Sequence, residues 1–220
     1  MPDRSVLVTG GAGGLGRSVV AALVADGWEV VVPVEAGSDL DQADHVTTVV
    51  ADLTDPDDVA RAVRSADGPL KAVVNLVGGF AAEQPVETTP LEQFERLFTL
   101  NLRPTYLVTQ AAIPKLKEAG GGSIVCIGAA SALNPFAGAS GYTASKAAVI
   151  AFAKAVAQEG KPDNIRCNAV LPTMIDTPAN RAAMPEAEWV NLVPPEKIAK
   201  TIAFLCDDAS SAVSGAALPV

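Results

Sequence analysis

Short β-branched runs alternate with longer alanine-rich runs along the whole chain. The segments SVLVT (5–9), EVVVPV (29–34), HVTTVVA (45–51), LKAVVNLV (70–77), SIVCIG (123–128), NIRCNAVL (164–171) and AALPV (216–220) read as strands. They are mostly continuous in their apolar character, which is the pattern of parallel strands covered on both faces. Between them, helical periodicity covers 14–26, 56–65, 90–118, 142–159 and 195–206. Gly27 stops the first helix, and Asp55-Pro56 opens the second with proline at the first helical position. Pro104 and Pro114 predict an interruption or bend in 90–118. A polar loop follows residue 34 through 44, and a proline-rich loop spans 172–195.

Seven strands alternating with helices predict an α/β fold: a single doubly wound Rossmann domain over 1–220, with a seven-stranded parallel sheet and helices on both faces. The 220 residues and 49% apolar content suffice for a full core. A net charge of −9 argues against nucleic acid or an anionic membrane as partner, and no apolar stretch is long enough to span a bilayer. Cys126, Cys167 and Cys206 have no metal-ligand spacing and read as small buried apolar residues in a reducing cytoplasm. His45 alone cannot supply a histidine metal site or a serine triad with any ease.

The first strand runs into Thr9-Gly10-Gly11-Ala12-Gly13-Gly14-Leu15-Gly16. Glycines let the turn adopt positive φ and let backbone approach a pyrophosphate, which the N-terminus of the following helix attracts. The flanking strand and helix are the context that such a turn requires. At the end of the second strand, Glu35 is placed to bind ribose hydroxyls, with no Arg or Lys beside it for a 2′-phosphate. The predicted cofactor is therefore NAD(H) or NADP(H), with NAD(H) preferred. Later in the chain Tyr142 and Lys146 sit four apart on a helix and so share a face. A phenol has a pKa near 10, and a neighbouring ammonium is expected to lower it.

These features together resemble the short-chain dehydrogenase/reductase family. The resemblance rests on T-G-x-x-x-G-x-G at 9–16, Asp52-Leu53, Asn75-Leu76-Val77-Gly78, Asn101, Tyr142-x-x-x-Lys146 and Pro172-x-x-x-x-Thr177. It implies roles for these positions. Gly10, Gly13, Gly14, Leu15 and Gly16 would hold the cofactor phosphates, Asp52 and Leu53 would border adenine, and Asn75 and Gly78 would line a ribose and the cofactor's path. Pro172, Ile175 and Thr177 would meet the nicotinamide end and the phosphates. Tyr142 would protonate the substrate, Lys146 would also hold the nicotinamide ribose, and Asn101 would anchor a water joining Lys146 to solvent. The family's Pro-Gly is Pro172-Thr173 here, and Leu76-Val77 replaces its commoner Asn-Ala.

The family's serine belongs at position 129, which is Ala129. Ser131 is the fallback hydroxyl. The same departure occurs in the dihydropteridine reductase branch, which this chain resembles in Gly128-Ala129, Gly141-Tyr142, Leu171-Pro172, Asp176-Thr177-Pro178 and Asn180-Arg181. That branch reduces a quinonoid pterin, already electrophilic. The reading is hydride transfer to a small carbonyl or conjugated imine, with residues 178–194, including Met184 and Trp189, as the substrate loop. The alternative class is a nucleotide-binding sensor or scaffold that has lost turnover. A homodimer or homotetramer through 90–118 and 142–159 is expected.

Overall fold

The computed structural model describes residues 3–38, 40, 43–81 and 84–220. Its strands are β1 (Ser5–Thr9), β2 (Glu29–Val34), β3 (Val46–Val50), β4 (Leu70–Asn75), β5 (Gly122–Ile127), β6 (Ile165–Leu171) and β7 (Ala217–Pro219). Its helices are α1 (Gly14–Ala25), α2 (Pro56–Arg64), α3 (Leu91–Asn101), α4 (Arg103–Glu118), α5 (Ser140–Glu159), α6 (Pro178–Ala182) and α7 (Pro195–Cys206). The sheet order is β3-β2-β1-β4-β5-β6-β7, with every pair parallel. This is the doubly wound sheet that the apolar pattern predicts.

Alternate residues of each strand feed opposite layers. Val6, Val8, Val30 and Val32 pack with Val19 and Leu23 of α1 and Ile198 and Ile202 of α7. Leu7, Val31, Val73 and Ile124 pack with Val108 and Leu116 of α4 and Val149 and Val156 of α5. Leu7, Leu116 and Ile202 are wholly inaccessible, and truncating such a residue to alanine costs about 2–5 kcal/mol. The two layers fix the direction in which every strand ends. Chain order reverses between β1 and β4, and the crevice outside their C-terminal ends is where such sheets place ligands.

Several boundaries shift for local reasons. The fourth strand was expected to reach Val77 but ends at Asn75. There the Thr9 hydroxyl accepts the N–H groups of Leu76 (3.1 Å) and Val77 (3.4 Å), diverting them from the sheet. The run 90–118 is broken between α3 and α4 at Leu102, just before Pro104, whose ring fits the first turn of a new helix. Pro114 stays inside α4. The loop 172–195 is more ordered than its prolines suggest. It holds α6, a 3-10 segment at Glu186–Asn191 and a parallel bridge between Ile175 and Val193.

Candidate active site

The glycine turn is built by close approach. A Cβ on Gly16 would lie 2.1 Å from the Gly10 carbonyl oxygen, and one on Gly10, at φ +68°, would meet the backbone of Leu76 and Val77 at 3.2 Å. Gly13 caps α1 with no side chain, and no acidic residue occupies the first turn. The free N–H groups and positive end of α1 are therefore open to an anion. Arg17 Nε donates to the Ala12 carbonyl at 3.1 Å. Thr9, which the sequence reading did not single out, joins β1 to β4 by donating to the Val74 carbonyl (3.4 Å) while accepting Leu76 and Val77 N–H. Its signal was its place at the head of the glycine motif.

Beside this turn is a cleft of about 690 Å³ lined by Gly10, Glu35, Asp52, Leu53 and, from α3, Thr99 and Leu100. Its size suits the adenosine end of a dinucleotide, and the glycine cradle that any Cβ would fill suits the phosphates. Glu35 is exposed at the rim. Asp52 Oδ1 accepts the Thr54 N–H and hydroxyl, both at 2.8 Å. These bonds, the backbone one foremost, lower its carboxyl pKa, so the rim keeps a fixed negative charge. Asn75 stands apart from the cleft. It is 1% exposed and donates through Nδ2 to Thr109 Oγ1 (3.2 Å) and Cys126 Sγ (3.9 Å), bracing β4 against α4 and β5.

Four chain segments meet at Gly78. A Cβ there would lie 2.6 Å from Asn101 Oδ1 and 3.0 Å from Lys146 Nζ. Asn101, the last residue of α3, accepts the Gly79 N–H at 2.8 Å and donates to Ser145 Oγ at 2.9 Å. Ser145 donates to the Tyr142 carbonyl at 2.8 Å. Lys146, 4% exposed, donates to the Ile127 carbonyl at 3.2 Å. The i,i+4 spacing thus brings Tyr142 and Lys146 to the end of β5, and the helix break at Leu102 points Asn101 at them.

Burial sets the electrostatics of the pair. It pushes the Tyr142 phenol up, and it pushes the Lys146 ammonium down to about 8. An ammonium that titrates near 8 is neutral before such a phenol ionises. The Tyr142 pKa is therefore raised by burial, where the four-residue spacing to Lys146 predicts a lowered one. Removal from water disfavours either charged form and is the largest cause of both shifts.

Ala129 is extended and 6% exposed, so the place of the family's serine holds a methyl group. Ser131 lies in a 3-10 turn at Ala130–Ala132, and its Oγ is buried with no hydrogen-bond partner. Its hydroxyl is therefore closed off from solvent.

Pro172 accepts the Ala130 N–H at 2.9 Å, and Thr173, in place of glycine, donates its N–H to Val220 at 3.3 Å. Beyond it, the Thr177 methyl lies 2.7 Å from where a Gly14 Cβ would stand. Thr177 Oγ1 also caps α6 by accepting the Asn180 N–H at 3.2 Å. Ile175 is held by its bridge to Val193. Arg181 grips Asp176 through bonds of 2.5 and 2.7 Å and lies over the Trp189 ring at 4.6 Å. Met184 and Trp189 are half-buried. Two further residues emerge only in three dimensions: Phe80 packs on the Tyr142 ring at 4.9 Å, and Phe136 lies 6.4 Å from Phe80. His45 sits before β3, at the opposite end of the sheet, against Glu29 at 2.6 Å. Among the described residues no cluster of three metal-binding side chains occurs, and no helix is long and apolar enough to cross a membrane.

Residues 4–188 match the family model described as short chain dehydrogenase. The chain is similar to 2-(R)-hydroxypropyl-CoM dehydrogenase of Xanthobacter autotrophicus, at 32% identity over 98% of this chain and 96% of that protein. It is also similar to 7alpha-hydroxysteroid dehydrogenase of Bacteroides fragilis, at 30% identity over 99% and 93% of the two chains. Among solved structures, the 3-ketoacyl-(acyl-carrier-protein) reductase of Brucella melitensis complexed with NADH superposes with a TM-score of 0.89 at 28% identity, covering 99% of this chain and 96% of that one.

Proposed function

The chain belongs to the short-chain dehydrogenase family of NAD(P)-dependent oxidoreductases, and on that premise we propose that it reduces a small carbonyl or conjugated imine with Tyr142 as proton donor. The observation that carries this reading is the convergence at Gly78, where Asn101 Oδ1 and Lys146 Nζ flank one point at 2.6 and 3.0 Å. The turn at Gly10, Gly13, Gly14, Leu15 and Gly16 would hold the cofactor phosphates, Asp52 and Leu53 would border the adenine, and Ile175 and Thr177 would meet the nicotinamide end. A nicotinamide held there would supply the hydride. Tyr142 Oη gives its proton to the substrate oxygen or nitrogen, so the C=O becomes an alcohol or the C=N an amine. Lys146, with a pKa of about 8, is suited to return a proton to the phenolate near neutral pH. Asn101, tied to Gly79 and Ser145, orients the helix that holds both groups and anchors the water through which protons reach Lys146.

NADH is the preferred donor in this reading, because the Glu35 carboxylate repels a 2′-phosphate. Ala129 favours a substrate that is already electrophilic, such as a quinonoid dihydropterin. Loss of one oxyanion donor costs about two to three orders of magnitude in acyl transfer, and a conjugated imine needs that donor least. The same alanine sustains the second reading, a nucleotide-binding sensor with little turnover. Assembly into a homodimer or homotetramer would use α3, α4 and α5, where Tyr106 is 46% exposed and meets Phe152 edge-on at 6.0 Å. Three free, buried thiols suit a reducing cytoplasm.

The experiment is NADH oxidation in the presence of quinonoid dihydropterin, quinones and small ketones, followed by Tyr142→Phe on whichever turns over. Loss of turnover in the variant supports the assignment. Cofactor binding with no oxidation across the panel favours the sensor.

A further inference from the structure

Three aromatic rings meet at the proton donor. Phe80 packs edge-to-face against Tyr142, with centroids 4.9 Å apart and planes at 79°. Phe136 lies 6.4 Å from Phe80, the two planes tilted by 31°. Phe80 comes from the turn after β4 and Phe136 from the stretch before α5. Both lie outside the core, Phe80 being 63% and Phe136 51% exposed.

Phe80 is nevertheless held. The Gly79 N–H before it is bound by Asn101 Oδ1 at 2.8 Å. A Cβ on Gly79 would stand 2.5 Å from Leu100 Cδ2, so the backbone lies tight on α3. A phenyl ring fixed in water beside a reacting hydroxyl is an open contact surface, since apolar area gains by being covered.

Resting on the hydride-transfer reading above, we propose that the substrate carries a neutral aromatic or conjugated planar ring next to its reacting C=O or C=N, and that this ring packs on Phe80 and Phe136. A molecule whose oxygen or nitrogen takes the Tyr142 proton has its substituents beside the ring that touches Tyr142. The tilted pair of π faces suits a third ring in edge or offset contact, at centroid separations of about 4.5–7 Å. The surroundings suit a neutral partner. Burial is the cause of the raised Tyr142 pKa, with no contribution from a charged side chain among the described residues. Arg181, a cation of the 178–194 loop, is matched by Asp176 in a two-bond pair.

The test compares acetophenone with octan-2-one, which has the same number of carbons, in the wild type and in Phe80→Leu, Phe80→Ala and Phe136→Ala. The wild type is expected to favour acetophenone in kcat/KM by about tenfold, the ring–ring increment beyond simple area. Phe80→Leu, which keeps apolar bulk but removes the π face, should bring that ratio towards one with NADH affinity unchanged. Equal or greater activity on octan-2-one in the wild type overturns the proposal, as does an unchanged ratio in the variants. If neither ketone is reduced, the redox reading is judged by NADH oxidation with quinonoid dihydropterin, and the ring site by saturation-transfer NMR of acetophenone. A signal in the wild type that Phe80→Ala removes supports the ring site, and no signal, or the same signal in both, overturns it.

Discussion

Asn101 is tied to Ser145: its Nδ2 donates to Ser145 Oγ at 2.9 Å, and that hydroxyl donates on to the Tyr142 carbonyl at 2.8 Å. One buried serine thus links the end of α3 to the helix turn carrying the phenol. Ser145→Ala leaves the Asn101 donor buried without a partner, at about 1–3 kcal/mol. The expected outcome is a fall in kcat with substrate KM nearly constant and a shifted pH–rate profile. A variant that loses only thermal stability, with kcat and the profile unchanged, would show Ser145 to be merely structural.

Gly78 is glycine because two functional side chains occupy the space of its Cβ. Gly78→Ala must displace Asn101 Oδ1 or Lys146 Nζ. Overpacking of this kind costs about 1–3 kcal/mol, and the displaced groups should lower kcat by at least tenfold, since each 1.4 kcal/mol is one decade. Thermal melting and steady-state kinetics on the same preparation check both numbers. Wild-type kinetics in this variant would contradict the role given to the cluster.

Ala129→Ser restores a hydroxyl at the end of β5. A gain of about tenfold to a hundredfold on simple ketones is expected, with little gain on a quinonoid pterin that needs no polarisation. Parallel kinetics on the two substrate types read this directly. An equal effect on both would remove the missing-donor explanation of Ala129.

Lys146 makes the site less stable at neutral pH. Its pKa falls from 10.5 to about 8 on folding, so between those values the unfolded chain binds more protons. Stability therefore rises with pH across that window, and the penalty, roughly 3 kcal/mol, is full below pH 8. Lys146→Met should raise the melting temperature at pH 7 and abolish turnover. Its advantage should shrink from pH 8 towards 10.5. A melting difference constant over that range would show that Lys146 titrates elsewhere.

Glu35 stands exposed at the cleft rim. Glu35→Gln removes the charge that opposes a 2′-phosphate and should weaken the preference for NADH over NADPH by about tenfold, as expected for one lost charge contact of 1–2 kcal/mol. Dissociation constants for the two cofactors measure it, and an unchanged ratio would leave Glu35 a solvated loop acid.

The seven strands, the glycine turn and the shared face of Tyr142 and Lys146 are legible in the amino-acid order alone. Each is a local property: a run of β-branched residues, glycines in series, a spacing of one helical turn. It also placed Ala129 where a serine was due. The partners of Asn101 emerge only from the packed fold, because Gly79 and Ser145 lie on other segments and Ser145 arrives through packing of α3 against α5. Asn75 reads in sequence as a cofactor contact; in the fold its Nδ2 donates to Thr109 of α4 and Cys126 of β5, and its Oδ1 is buried without a partner. Phe80 and Phe136 carry no local pattern at all, and they become a surface only where two turns bring them beside Tyr142. Burial follows the same rule: the chain specifies a phenol and an ammonium, but the depth to which the fold sinks them shifts both towards their neutral forms.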